Sequence, residues 1–268
     1  MRRRAVFGRA FLLQAVVLCA CLPAGAHAAS SAQLRAAFIP DRLQARTTLA
    51  FSFSFSAPPG GVPPPLTQIE LRYPDNLGIL ISQLGIDVCT AAGLEASGPG
   101  GCPPNSVMGY GVVNTEVELG TSVVAEKAPI TIFRAPTNDG KLGLLFYAEG
   151  KHPVVTDIVF SGVLLAASEP FGGKVSIGVP LVSTLPGAPY VSVVELHATI
   201  GPSKVTYYER QGGATFAYKP TGILLPSTCP KGGFPFAAAF SFSNKSHARA
   251  RAYASCPQTA ASHAKRQS

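Results

Sequence analysis

Thr47–Ser56 reads TTLAFSFSFS. Leu49, Phe51, Phe53 and Phe55 alternate with Ala50, Ser52, Ser54 and Ser56, which places every ring on one face and every serine on the other. Successive side chains of a β-strand point to opposite faces, whereas a helix would scatter this pattern around its circumference. The stretch is therefore a strand with one buried face. A second stretch answers it near the other end of the chain. Phe234, Phe236, Ala238, Phe240 and Phe242 alternate, and Phe240-Ser241-Phe242-Ser243 repeats the earlier FSFS. Both faces need cover, and their match suits one shared layer holding Phe51, Phe53, Phe55, Phe236, Phe240 and Phe242.

Working outward, Thr67 to Tyr73 alternates through Ile69, Leu71 and Tyr73, after a loop reading APPGGVPPPL. Leu84 to Pro104 is irregular, with room for one helical turn over Thr90 to Glu95. Val107 to Leu119 reads as a long strand in which Gly109 and Gly111 mark a bulge or a close backbone approach. Further strands are expected at Ala128 to Arg134, Leu142 to Ala148, Thr156 to Leu165, Lys174 to Leu181 and Val191 to Ile200. Turn signals separate them, among them Thr137-Asn138-Asp139-Gly140 and Leu185-Pro186-Gly187. A hairpin is expected over Tyr207 to Tyr218, around Gly212-Gly213. From Ser246 to Cys256, Ala248, Ala250, Ala252, Ala254 and Cys256 share one face, with His247, Arg249, Arg251 and Tyr253 on the other. Roughly ten to twelve short strands with no helical period of any length predict an all-β fold, an antiparallel β-sandwich.

Composition agrees. Apolar residues make up 47% of the chain, enough for a core, while 13% charged residues, 27 Gly and 24 Pro fit many strands joined by turns. The net charge of +8 is unevenly spread. Arg2, Arg3, Arg4 and Arg9 open the chain, and Lys245, Arg249, Arg251, Lys265 and Arg266 follow Asn244 with no acid among them. Residues 29–244 carry 13 basic against 14 acidic side chains. A neutral body argues against a nucleic-acid partner, which needs a basic face to neutralise phosphates. The basic C-terminal stretch has the charge to meet an acidic cell-wall polymer or a membrane surface. It equally suits an edge strand whose charges block aggregation.

The N-terminus carries an export signal. Behind the arginines, Phe11 to Leu22 is apolar and uncharged, and Pro23, Ala24 and Gly25 break it before Ala26-His27-Ala28. A basic end, a short apolar run and a small-x-small site are the features of a cleaved signal peptide. The run is shorter than the ~18 to 20 residues of a stable membrane span. The expected organisation is a signal peptide over 1–28 with cleavage after Ala28, one domain over 29–256, and a disordered basic tail over 257–268. A rival reading takes Leu18-Cys19-Ala20-Cys21 as a lipobox, with a lipoprotein anchored at Cys21.

Four cysteines outlast the signal peptide: Cys89, Cys102, Cys229 and Cys256. An even number in an exported chain points to disulfides, and the spacing does not suit paired metal ligands. Of the three possible pairings, Cys89–Cys102 with Cys229–Cys256 is favoured, because the first encloses a short Gly/Pro-rich loop, AAGLEASGPGG, whose ends meet easily. Three segments also carry a resemblance. Leu84-Gly85-Ile86-Asp87-Val88-Cys89, Cys102-Pro103-Pro104-Asn105-Ser106-Val107-Met108-Gly109-Tyr110-Gly111 and Cys229-Pro230-Lys231-Gly232-Gly233-Phe234-Pro235-Phe236 resemble a group of exported actinobacterial proteins with no known activity. The resemblance implies a structural disulfide framework and no chemistry.

No catalytic, cofactor or metal motif stands out. Gly-x-Ser-x-Gly, HExxH and EF-hand patterns are absent, and Gly109-Tyr110-Gly111 lacks the third glycine and the helix of a dinucleotide loop. Ser262-His263-Ala264-Lys265 fits Ser-x-x-Lys but lies in the expected tail. Glu195 and His197 share the polar face of a strand, where a carboxylate beside a histidine can orient it for acid–base work. His152 sits in a turn, and the acids, including the same-face pair Glu116 and Glu118, are scattered. Tyr207-Tyr208 is the only paired aromatic platform for a sugar ring in a chain without Trp. The expectation is a non-enzymatic exported protein of the cell envelope or extracellular space. The alternative is a secreted hydrolase that uses scattered carboxylates and His197. Intact-mass analysis of the exported protein is expected to find an N-terminus at Ala29, and an acylated Cys21 would reverse that reading.

Overall fold

The computed structural model describes residues 31–57, 61–79, 83–152 and 155–257. The expected signal peptide, with Cys21 and Ala28, and the expected tail beyond Pro257 lie outside the described residues. In chain order the elements are β1 (Ala32–Ile39), β2 (Arg46–Phe55), β3 (Leu66–Pro74), β4 (Gly78–Ile79), α1 (Ala91–Ser97), β5 (Val107–Leu119), β6 (Ser122–Asn138), β7 (Lys141–Gly150) and β8 (Thr156–Leu165). They continue with β9 (Phe171–Gly178), β10 (Ser192–Ile200), β11 (Tyr207–Gln211), β12 (Ala214–Tyr218), β13 (Ile223–Leu224), β14 (Phe234–Phe242) and β15 (His247–Ala254). The fold is all-β, antiparallel and stapled by two disulfides, as expected.

The sandwich is only rough. Leaving out the two-residue strands β4 and β13, one sheet runs β1-β2-β10-β5-β6-β7-β8-β9-β3-β14-β15. Its two edges, β1 and β15, lie side by side with no ladder between them among the described residues, so the sheet curls almost into a barrel. Strands β5 to β9 form a continuous meander. Its β6–β7 turn falls where the sequence placed it, with positive φ at Asp139 and Gly140 between the paired residues Asn138 and Lys141.

The aromatic rows close the sheet. Phe53, Phe55, Phe236, Phe240 and Phe242 are buried, with ring centroids 4.9 Å apart for Phe53–Phe240, 4.9 Å for Phe55–Phe240 and 5.2 Å for Phe55–Phe242. Edge-on and tilted pairs at this spacing are favourable beyond their buried area. Phe38 of β1 joins the row against Phe234 and Phe236. Strand β1 was not anticipated. Its alternation, Leu34, Ala36 and Phe38 against Arg35 and Ala37, is diluted by alanines, yet Leu34 and Phe38 are buried.

Other boundaries moved. The strand expected at Ala128 to Arg134 extends over Ser122–Asn138, because its N-terminal half pairs fully with β5. The strand expected at Lys174 to Leu181 runs instead over Phe171–Gly178, with one more bond beyond it from Val179 N to Thr67 O at 2.9 Å. Gly109 shows both anticipated features. The register shifts between Val107 and Gly109, and a Cβ at Gly109 would come within 2.0 Å of the Thr199 carbonyl oxygen.

Both disulfides sit at one end of the curled sheet. Cys89–Cys102 (Cα–Cα 5.0 Å) closes a flap that lies on the outer face. Within it the Gly93 amide donates to Thr90 Oγ1 and caps α1. Leu94 is fully buried against Phe133, Ala135, Leu145 and Tyr147, which explains why β6 and β7 are apolar on both faces there. Cys229–Cys256 (Cα–Cα 5.7 Å) ties the entry of β14 to the exit of β15. Replacing Phe53 by Ala is expected to lower the unfolding free energy in urea by about 3 to 5 kcal/mol. Replacing Phe216, which is 54% exposed on the β11–β12 hairpin, should change it by less than ~0.5 kcal/mol.

Candidate functional site

A closed eight-stranded barrel is just wide enough for side chains to fill it, and more strands leave space. Eleven strands enclose this interior. The phenylalanine rows fill the side formed by β1, β2, β14 and β15. On the opposite side the inward positions carry small residues: Ala128 on β6, Ala148 on β7 and Ala198 on β10. They leave a cavity of about 160 Å³. Its wall is apolar, with Ile130, Ile132, Ile158 and Ile177 and the stacked pair Phe146–Phe160, whose rings are 5.0 Å apart and 10° from parallel. Phe51 is half-buried and turns to this wall, while Phe53 and Phe55 hold the ring row.

The two ends of the interior differ. At the disulfide end it is plugged by Leu84, Met108, Val205, Tyr207 and Ile223. Tyr207 is fully buried, and its hydroxyl accepts from the Gly85 amide and donates to the Val107 carbonyl (2.7 Å). At the other end polar residues line the cavity: Thr115, Glu126, His152, Thr156, Ser183 and Thr184. The connection between β9 and β10 folds over this mouth as a small hairpin. Val191 N donates to Val182 O at 2.8 Å, and the Ser183 hydroxyl bonds within the loop. Val182, Ser183 and Thr184 face the cavity, and Leu181, Leu185 and Tyr190 are exposed.

Glu126 belongs to the inward row of β6, two residues before Ala128. One oxygen, Oε1, accepts the backbone N–H groups of Lys151 and His152, the latter at 2.8 Å, which fixes the carboxylate at the mouth. The sequence reading began this strand at Ala128 and so passed over Glu126. Carrying the period-two pattern of Ile132, Ile130 and Ala128 back by one step would have found it. His152 is exposed in its turn, as expected, and stands at the same mouth.

The remaining candidates lie apart. His197 and Glu195 are on the outer face of β10, with Nε2 2.9 Å from Glu195 Oε1, and Asn114 donates to the other carboxylate oxygen at 2.9 Å. Ser52 stands opposite His197 in the ladder, with no hydrogen bond joining the two among the described residues. Strand β2 pairs with β1 on one side and β10 on the other, so its backbone amides are committed to ladders and offer no oxyanion site. Glu118 accepts from the Val62 amide, Glu116 lies elsewhere on β5, and no group of three or more His, Cys, Asp or Glu could hold a metal among the described residues. Tyr207 is buried and Tyr208 exposed, so they form no stacking platform. The basic side chains of β15, Arg249 and Arg251, are exposed next to β1, which carries Arg35. His263 and the Ser262–Lys265 match lie outside the described residues.

The chain matches no family model, no curated protein and no solved structure.

Two phenols report on the packed faces. Burial pushes Tyr207 up to about 12, and burial with the neighbouring Asp157 does the same for Tyr147 beneath α1. A raised phenol pKa favours the folded state only while the phenol stays neutral. In the unfolded chain these groups ionise from about pH 10, so their contribution is lost as pH rises from there through about 12. Burial raises the Tyr73 phenol as well, so absorbance titration at constant temperature should show Tyr73, Tyr147 and Tyr207 titrating late, and urea stability should fall over the same range.

Proposed function

We propose that this chain is an exported, non-enzymatic protein of the cell envelope or extracellular space that holds a small apolar molecule inside its sheet. The apolar cavity carries the reading. It is comparable to an engineered cavity of about 150 Å³ that stays dry and takes up benzene. Export is supported by the basic and apolar N-terminus and by two disulfides, which persist in oxidising compartments. No helix among the described residues is long and apolar enough to cross a membrane. The hydrolase alternative is less well supported. The His197–Glu195 pair lies outside the cavity on a solvated face, no hydroxyl bonded to His197 is found among the described residues, and the amides of the neighbouring β2 are taken up in ladders.

The test is direct. Benzene or hexane at about ten times its Kd should stabilise the protein by ~1.4 kcal/mol, a rise in Tm of roughly 3 to 6 °C. Filling the cavity with Ala148→Leu should abolish that rise while leaving the unliganded protein folded. A wild-type melting temperature unmoved by either hydrocarbon would remove the proposal.

A further inference from the structure

An apolar chamber has no use for a fixed carboxylate, yet one stands at its mouth. Glu126 is half-buried on an inward row, and both backbone N–H bonds go to its Oε1. No hydrogen bond to Oε2 is found among the described residues, and this oxygen lies over Gly150, where a Cβ would come within 3.4 Å of it. A second group points the same way. The Thr184 hydroxyl is buried and has no hydrogen-bond partner among the described residues, and Thr184 lines the cavity. Leaving a buried hydroxyl unpaired is costly, and a polar group arriving with a ligand would satisfy it.

The surrounding charges do not cancel the carboxylate. Lys127 is the next residue of β6 and is exposed on the opposite face. The Lys151 ammonium lies 3.9 Å from Glu149, away from the cavity lining. His152 contributes its backbone amide to Glu126 and stands exposed at the mouth. Glu126 is thus the only acid, and Lys and Arg are absent, among the described residues that line the cavity.

Building on the cavity reading, we infer that the ligand is a small amphiphile with an apolar body and a hydrogen-bond-donating head, of which a primary alkylamine is the best match. The hydrocarbon enters the chamber between Ile130, Ile158 and Phe160. The ammonium donates to Glu126 Oε2 at the mouth, where it keeps contact with water. Thr184 donates to or accepts from a neutral alcohol head and gives that class intermediate affinity. A carboxylate head meets the negative charge of Glu126 and is rejected.

The experiment compares hexylamine, 1-hexanol, hexanoate and hexane on the full exported protein at pH 7, by calorimetric titration or by shifts of cavity methyl resonances. Hexylamine should bind at least tenfold more tightly than hexanoate, in keeping with one charge-assisted hydrogen bond. Glu126→Gln keeps an oxygen for the two backbone N–H groups, and it should bring the two affinities to within roughly twofold while hexane binding stays unchanged. Thr184→Val should weaken hexanol by roughly fivefold and leave hexane alone. Hexane binding with no preference among heads would overturn this inference and leave the cavity reading standing. Hexanoate binding as tightly as hexylamine would overturn it as well. Failure of every compound, hexane included, would remove both.

Discussion

The sheet is closed by packing and not by hydrogen bonds. Around its circumference each strand is held to the next by a ladder, except at the seam where β1 meets β15. What brings that seam together is the interior: Phe38, Phe53 and Phe55 from the first two strands lie against Phe234, Phe236, Phe240 and Phe242 from the penultimate one. An open sheet edge is an aggregation hazard. Here two edges shield each other, and the arginines of β15 and Arg35 of β1 add charge along the same line. The Cys229–Cys256 bridge holds β15 against β14 at the end of the strand, where fraying would begin.

The same packing explains the cavity. Large rings occupy one side of an interior that eleven strands make too wide to fill. On the other side alanines at inward positions leave room, and stiff neighbours such as Ile130, Ile132 and Ile177 keep the walls apart. Polar groups line one mouth, while Leu84, Met108, Val205, Tyr207 and Ile223 plug the opposite end. The interior is therefore a one-ended pocket, with its chemistry concentrated where solvent can reach.

Much of this was legible in the sequence, for a specific reason. Period-two alternation is strong where large apolar residues face serine or arginine, so β2, β14 and β15 were plain, and β5 and β8 fell on their predicted limits. The short loop between Cys89 and Cys102 favoured the pairing that the structure shows. The curl was not legible, because closure depends on strand order: β10 returns to the far side of β5, and β3 to the far side of β9. The cavity was not legible either. Alanines are equally at home in a packed core, and only the radius of the finished sheet turns Ala128, Ala148 and Ala198 into empty space. Glu126 was missed because a charged residue at the start of an apolar run normally marks the end of a strand.

The order of strands also governs when the molecule can be completed. The meander from β5 to β9 joins neighbours in sequence and can assemble from local hairpins as soon as its residues are free. Strand β2 is made early, but the aromatic face it carries meets residues 234–242, near the end of the chain. Until they arrive, its phenylalanines have no native cover. A chain delivered from its N-terminus therefore carries the rings of β2 without their β14 partners for nearly its whole length, and the contacts that close the sheet are among the last to become available. Fidelity in such a molecule rests less on the strength of the finished core than on what shields that first strand while the last is still on its way.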